Sequence, residues 1–337
     1  MGVQIILLWI MISPAAVALV GKPLQDLSTA EMLVLNDDLT LARRYLHPSI
    51  YSPHISSKLR SRFYYVKGYT FLKEGLHVSA GKEFYRALEF DASNPDALYC
   101  LGQLYYHGRG YDEDVQMGLS FFREAAYFSH LDAKFYLAYS LLIGKGTEQN
   151  VEQGRSALSD LAADGHVEAM MHLANHYRKT GYDQDRENFD RIKELYERAL
   201  KAGSPEAALS LGVLYKEGKL VAKDLGLAFQ YFTLASDMGS LQADVHIAHS
   251  LAAGLGIKRD YVAARRHYLE AADNDLAGGF LGLGYLYEFG LGVQIDLVKA
   301  RAFYDLGAGT SSSALNLSLI HISEPTRPLY ISYAVFC

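Results

Sequence analysis

Apolar positions recur along this chain at two nested intervals. Locally they fall three and four residues apart, the spacing that places side chains on one face of a helix. Over longer distances the whole pattern returns. The 36 residues from Ala207, AALSLGVLYKEGKLVAKDLGLAFQYFTLASDMGSLQ, align without a gap with ADVHIAHSLAAGLGIKRDYVAARRHYLEAADNDLAG from Ala243. An anchor recurs at Ala97, Ala133, Ala169, Ala207, Ala243 and Gly279. Five residues on stands a small residue: Gly102, Ala138, Ala174, Gly212, Ala248, Gly284. Eight on stands a large one: Tyr105, Leu141, Tyr177, Tyr215, Leu251, Tyr287. Small and large share a helix face, so the small position admits a neighbouring helix and the large one fills the space beyond.

What lies between these helices predicts a second helix in each unit. Glycines follow the first helix at Gly108 and Gly110, Gly144 and Gly146, Gly218, Gly254 and Gly256, and Gly290 and Gly292. They suit a helix end that needs positive φ. Asp114, Asn150, Asp224, Asp260 and Asp296 then stand where a side chain caps the next helix. That helix carries a ring and then small residues, as in Phe122 with Ala125 and Ala126, or Tyr268 with Ala271 and Ala272. Such a hairpin has one sticky side and cannot bury it alone. Stacked units share a core, which predicts an all-α solenoid, an α/α-superhelix. The third unit departs most, with two extra residues near Thr180 to Asn188 and only Gly181 in its turn, which predicts a longer loop there.

The pattern Leu-Gly-x-x-Tyr, Gly-x-Gly-Ile/Val, Asp-Tyr, Ala-x-x-x-Tyr-x-x-Ala-Ala resembles the Sel-1-like repeat family. The clearest copies are Leu101 to Ala126, Ile247 to Ala272 and Leu283 to Ala308. Six copies are expected over residues 96–312. The resemblance implies a tetratricopeptide-like scaffold that binds proteins. It is similar in type to the lumenal adaptors of the HRD ubiquitin ligase in endoplasmic-reticulum-associated degradation. The partners so implied are misfolded clients or membrane ubiquitin ligase subunits.

The rest of the chain modifies this picture. Residues 1–21 read as a secretory signal peptide: an apolar run from Ile5 to Ile12, then Pro14 and an Ala16-Val17-Ala18 cleavage site. An uncleaved anchor is the alternative. Residues 22–57 predict one helix, Thr29 to Leu46, and a Pro- and Ser-rich linker from His47 to Ser57. Residues 58–95 resemble a tetratricopeptide hairpin and are expected to cap the solenoid. Residues 317–337 resemble the translation of a sequencing-library adapter, with LSLIHISEPTR and ISYAVFC around a short variable block. A natural chain would then leave this sequence near Asn316, and a lost C-terminal segment would supply any membrane association.

Composition narrows the function classes. With 337 residues, half hydrophobic, and a net charge of −6, the chain lacks the basic balance of a nucleic-acid binder. Cys337 lies in the tail and leaves Cys100 alone, so no internal disulfide framework is expected. Some bacterial secreted relatives staple each repeat with a Cys pair, and this chain departs from them. No nucleophile elbow, P-loop, dinucleotide fingerprint or HExxH motif occurs. The expectation is a non-enzyme with no cofactor and no metal. His172 with His176, and His246 with His249, have helical spacing that would present two imidazoles to zinc, yet no further ligand completes a motif. Asp96, Asp132, Glu168 and Glu206 suit the first turn of a helix better than an acidic rail.

Stacking as in tetratricopeptide arrays places residues two, six and nine after each anchor on the inner face. In the early repeats these are Tyr99, Gln103 and Tyr106; Phe135, Tyr139 and Leu142; Met171, Asn175 and Arg178. This aromatic, apolar strip is the candidate partner-binding face, unless curvature buries it as core. The function expected is a lumenal adaptor. The alternatives are a secreted scaffold without a degradation role and a secreted hydrolase of the kind claimed for some bacterial relatives.

Overall fold

The computed structural model describes residues 14–180, 186–219 and 221–310. Sixteen helices and no strand lie among the described residues. Cα packing divides the chain into two compact units, residues 1–158 and 159–337, with the division inside α8.

The first unit contains α1 (Pro14–Leu35), α2 (Leu39–Ile50), α3 (Ser57–Lys73), α4 (His77–Phe90), α5 (Pro95–Tyr106), α6 (Val115–Tyr127), α7 (Leu131–Ile143) and the start of α8 (Val151–Ala163). The second continues with α9 (Val167–Lys179), α10 (Arg186–Lys201), α11 (Pro205–Glu217), α12 (Leu225–Asp237), α13 (Leu241–Ala253), α14 (Tyr261–Asp273), α15 (Ala277–Phe289) and α16 (Leu297–Thr310). The principal packing pairs join consecutive helices, as in α3 with α4, α5 with α6, α11 with α12, α13 with α14 and α15 with α16. No described helix is long and apolar enough to cross a membrane.

The anchors are all buried, and so are the small positions five residues later. At Gly102, Gly212 and Gly284 the neighbour is a ring from the same hairpin. A Cβ built on Gly102 would stand 2.5 Å from Phe122 Cε1, and one on Gly212 would stand 2.5 Å from Phe232 Cε1. Both rings are fully shielded from solvent. The helices therefore close to a separation that only glycine permits, with an aromatic ring filling the groove. The large position eight after the anchor stacks on the residue just before that ring. The pairs are Tyr105 on Phe121 at 5.9 Å, Tyr215 on Tyr231 at 5.8 Å, and Tyr287 on Phe303 at 5.7 Å between centroids. Both contacts lie inside one hairpin; the expected contact between hairpins is carried by other residues.

Helix ends follow the sequence chemistry. Asp114, Asn150, Asp224, Asp260 and Asp296 each accept the backbone N–H three residues on, satisfying a donor the helix leaves open. Asn94 and Ser204 do the same ahead of Pro95 and Pro205. Gly144, Gly218, Gly254 and Gly290 end their helices in the left-handed conformation. Asp96, Asp132, Glu168 and Glu206 stand in first helical turns.

The N-terminal region differs from the expected single helix and linker. Residues 14–50 form two helices, α1 and α2, packed on each other. The break falls at Asn36–Asp38: Asp37 takes φ +62°, and Asp38 caps α2 by accepting Leu41 N–H. Pro48, read as linker, lies inside α2. The apolar run of the expected signal, the turn at Gly181 and the tail at residues 317–337 lie outside the described residues.

Candidate functional site

In the first unit the strip is built on α5 and α7. Tyr99 is half-buried, with its ring stacked on His130 at 4.4 Å. His130 is held by its own work as a cap, since its Nδ1 accepts Ala133 N–H at 3.3 Å. Gln103 donates through Nε2 to the Tyr99 hydroxyl at 2.6 Å and to the Tyr136 hydroxyl at 3.4 Å. His107 Nε2 lies 3.4 Å from the same Tyr136 hydroxyl. Burial holds the His107 imidazole below its ordinary pKa, helped by the nearby Arg109 and Lys145 charges. The outcome is a polar-tipped aromatic cluster: ring faces for apolar contact, and an amide and hydroxyls for hydrogen bonds.

Two of the candidate residues sit too deep to meet a partner. Tyr106 is 2% exposed and Phe135 is 6% exposed. The Tyr106 hydroxyl is hydrogen-bonded to Ser140 Oγ at 3.0 Å, and burial raises its pKa. Lys145 covers the Tyr106 ring, with Nζ 4.3 Å from the centroid, and pairs with Glu113 at 2.9 Å. Phe135 stacks on the half-buried Tyr139 at 5.8 Å. Helix α7 thus turns Phe135 into the core that supports Tyr139. The sequence reading missed Tyr136, His107 and His130. Tyr136 follows the anchor by three residues, one after the position assigned to the face, and its ring stacks on Phe122 at 4.7 Å.

In the second unit Met171, Asn175 and Arg178 are half-buried on α9. Asn175 Oδ1 accepts the buried Tyr196 hydroxyl at 2.7 Å, and Arg178 lies 3.7 Å from Glu217. Asn175 and Arg178 thus knit α9 to α10 and α11. His246 stacks on Phe232 at 4.7 Å. Burial, with the Lys216 charge second, lowers His246 to a pKa of about 3 and His249 to about 4. Both are neutral imidazoles at physiological pH. Cys100 is buried, and desolvation pushes its thiol well above the ordinary range, so it is no nucleophile.

Comparison with known proteins adds three findings. A family model described as Sel1 repeat matches residues 95–127, 131–156, 205–240, 246–276 and 281–308. The unit anchored at Ala169 falls between those segments, although α9 and α10 still pack as a hairpin. Among curated proteins, the "ERAD-associated E3 ubiquitin-protein ligase component HRD3B" of Arabidopsis thaliana is 30% identical over 97 residues. That match is 29% of this chain and 16% of the plant protein, so the chain spans only a small part of that relative. Among solved structures, a Sel1 repeat protein from Oxalobacter formigenes superposes with a TM-score of 0.62 at 24% identity, over 71% of this chain and all of that one. The protective antigen c5321 of uropathogenic Escherichia coli, an SLR fold, gives 0.58 at 21% identity over 79% of this chain and 57% of its own.

Proposed function

The chain belongs to the Sel1-repeat family, a family of protein-interaction scaffolds, and from that premise we propose that it serves as a non-enzymatic adaptor in the endoplasmic-reticulum lumen. Its role there is to hold misfolded clients, or a lumenal part of a membrane ubiquitin ligase, for degradation. The observation that carries the reading is the cluster of Tyr99, Gln103, Tyr136 and His107, in which half-buried rings and polar tips stand together on consecutive repeats. Rigid aromatic anchors beside adaptable hydrogen-bonding groups suit an extended or unfolded polypeptide. The likeness to a plant ligase component supports the degradation role, and the apolar run near the N-terminus supports entry into the secretory pathway.

The test places a photo-crosslinking amino acid at Tyr139, at the edge of the cluster, in the full chain expressed in cells. Crosslinks to a ligase subunit or a glycosylated client, weakened several-fold by Tyr99→Ala with Gln103→Ala, are expected. Protease protection in intact microsomes should place the chain inside. Accessibility to protease outside the vesicles, or crosslinks indifferent to the double variant, would sink the proposal. Recovery from the culture medium would favour the secreted scaffold instead.

A further inference from the structure

The fifth repeat breaks a rule kept by the repeats anchored at Ala97, Ala207 and Gly279. The position before the buried ring is Phe121 in α6, Tyr231 in α12 and Phe303 in α16, and each stacks on its large partner. In α14 that position is His267, and the partner has become Leu251. A second polar change accompanies it. The residue after the anchor is buried and apolar at Leu98, Met170 and Ala208, exposed at Lys134 and partly buried at Phe280, whereas in this repeat it is the buried carboxylate Asp244. The two changes meet. His267 Nδ1 lies 2.9 Å from Asp244 Oδ1, and Ser236 Oγ donates to the same oxygen at 2.9 Å. Glu270, one helical turn beyond His267 on α14, brings a third donor. One donor atom from each of Asp244, His267 and Glu270 lies within 4.8 Å of the others.

We propose that Asp244, His267 and Glu270 form a binding site for a divalent transition cation, Zn2+ in the first place. One imidazole with two carboxylates suits a borderline cation, and three protein donors leave a fourth position to water. Metal–donor bonds of about 2.0–2.2 Å require donors roughly 3–3.5 Å apart. The Asp244–His267 pair is already near that spacing. Glu270 is exposed, so its rotamer closes the remaining gap without disturbing the core. The cation takes the place of the hydrogen between Nδ1 and Oδ1, and the neutral imidazole then carries its single proton on Nε2. Bound there, it ties α13 to α14 through the α14 position that carries a stacked ring in those three hairpins.

The test is calorimetric titration of the chelator-treated full chain with zinc sulfate in excess calcium. Saturable one-to-one uptake is expected, and Co2+ should give the visible absorption of four-coordination. The variant Asp244→Ala with His267→Phe uses residue types already found at Ala208 and Phe121. It should keep the helical melt and lose at least about tenfold in zinc affinity. If it does not fold, Glu270→Gln removes a donor from the surface alone and should still weaken uptake several-fold. Wild-type affinity in the variants that fold would overturn the site, because other histidines would then hold the metal. So would the absence of saturable uptake by the wild type, which would leave Asp244 and His267 as a hydrogen bond only.

Discussion

Hairpin α5/α6 in the first unit and hairpin α13/α14 in the second solve one packing problem in two ways. Both bury a ring from the second helix: Phe122 in one, Tyr268 in the other. In the first, the groove for the ring is opened by Gly102 on the preceding helix. In the second, Ala248 stands at that position. Glycine has moved to the following helix, where a Cβ on Gly282 would lie 2.2 Å from Tyr268 Cε1. The buried ring is the constant element, and either neighbouring helix can make room for it. The outer pair is more freely exchanged: Tyr105 stacks on Phe121, whereas the corresponding residues are Leu251 and His267, and His267 turns to Asp244.

The sharpest way to break this comparison is to delete the ring. Phe122→Ala and Tyr268→Ala should each destabilise by about 3–5 kcal/mol. Amide exchange resolved by helix should show the loss centred on the altered hairpin, since repeat arrays open locally. A loss below about 1 kcal/mol at Tyr268 would mean that its ring is not the equal of Phe122. Next comes overfilling the groove from either side. Gly102→Leu and Gly212→Leu should cost on the order of 1–3 kcal/mol by clashing within the hairpin. Gly282→Leu should cost as much by prising α15 from α14. An unchanged melting temperature for Gly282→Leu would show that α15 has no part in seating the ring.

The smallest effect is a difference in pH response. The folded values near 3 for His246 and 4 for His249 lie below the ordinary 6.5. Between pH 6.5 and about 4 the unfolded chain therefore takes up protons that the folded chain refuses. Stability is fully present above 6.5 and falls as pH drops, by about 1.4 kcal/mol per pH unit for each ring. Protection of α13 amides, corrected for intrinsic exchange rates, should decline more steeply than that of α5 from pH 7 to 5. His246→Phe with His249→Leu should flatten that decline, and equal slopes in the two helices would refute the assignment.

Much of the fold was legible because the repeat multiplies weak signals. A single Asp or Asn is a poor helix start, but four Asp and one Asn at matching offsets are not, and all five cap. The glycine positions carried the same weight, since backbone handedness is a local property. The region before Ser57 had no repeat to support it. There two prolines suggested a linker, and the turn chemistry of Asn36-Asp37-Asp38 before Leu39 was overlooked. The inner face was legible only in part. Periodicity says that Tyr106 and Phe135 share a side with Tyr99 and Tyr139, but how deep each sits depends on the next helix. Tyr136 and the Asp244–His267 pair arise from contacts between helices, which no single-helix pattern contains.

Within each unit, the pairing of most helices chiefly with the next one along the chain has a consequence for biogenesis. Native contacts become available to a nascent polypeptide as soon as two successive helices have emerged, with no wait for a distant strand or a closing terminus. Synthesis and folding can then advance together, one hairpin at a time. At every moment the growing product shows its surroundings a single raw edge, and only that edge would need a chaperone's cover.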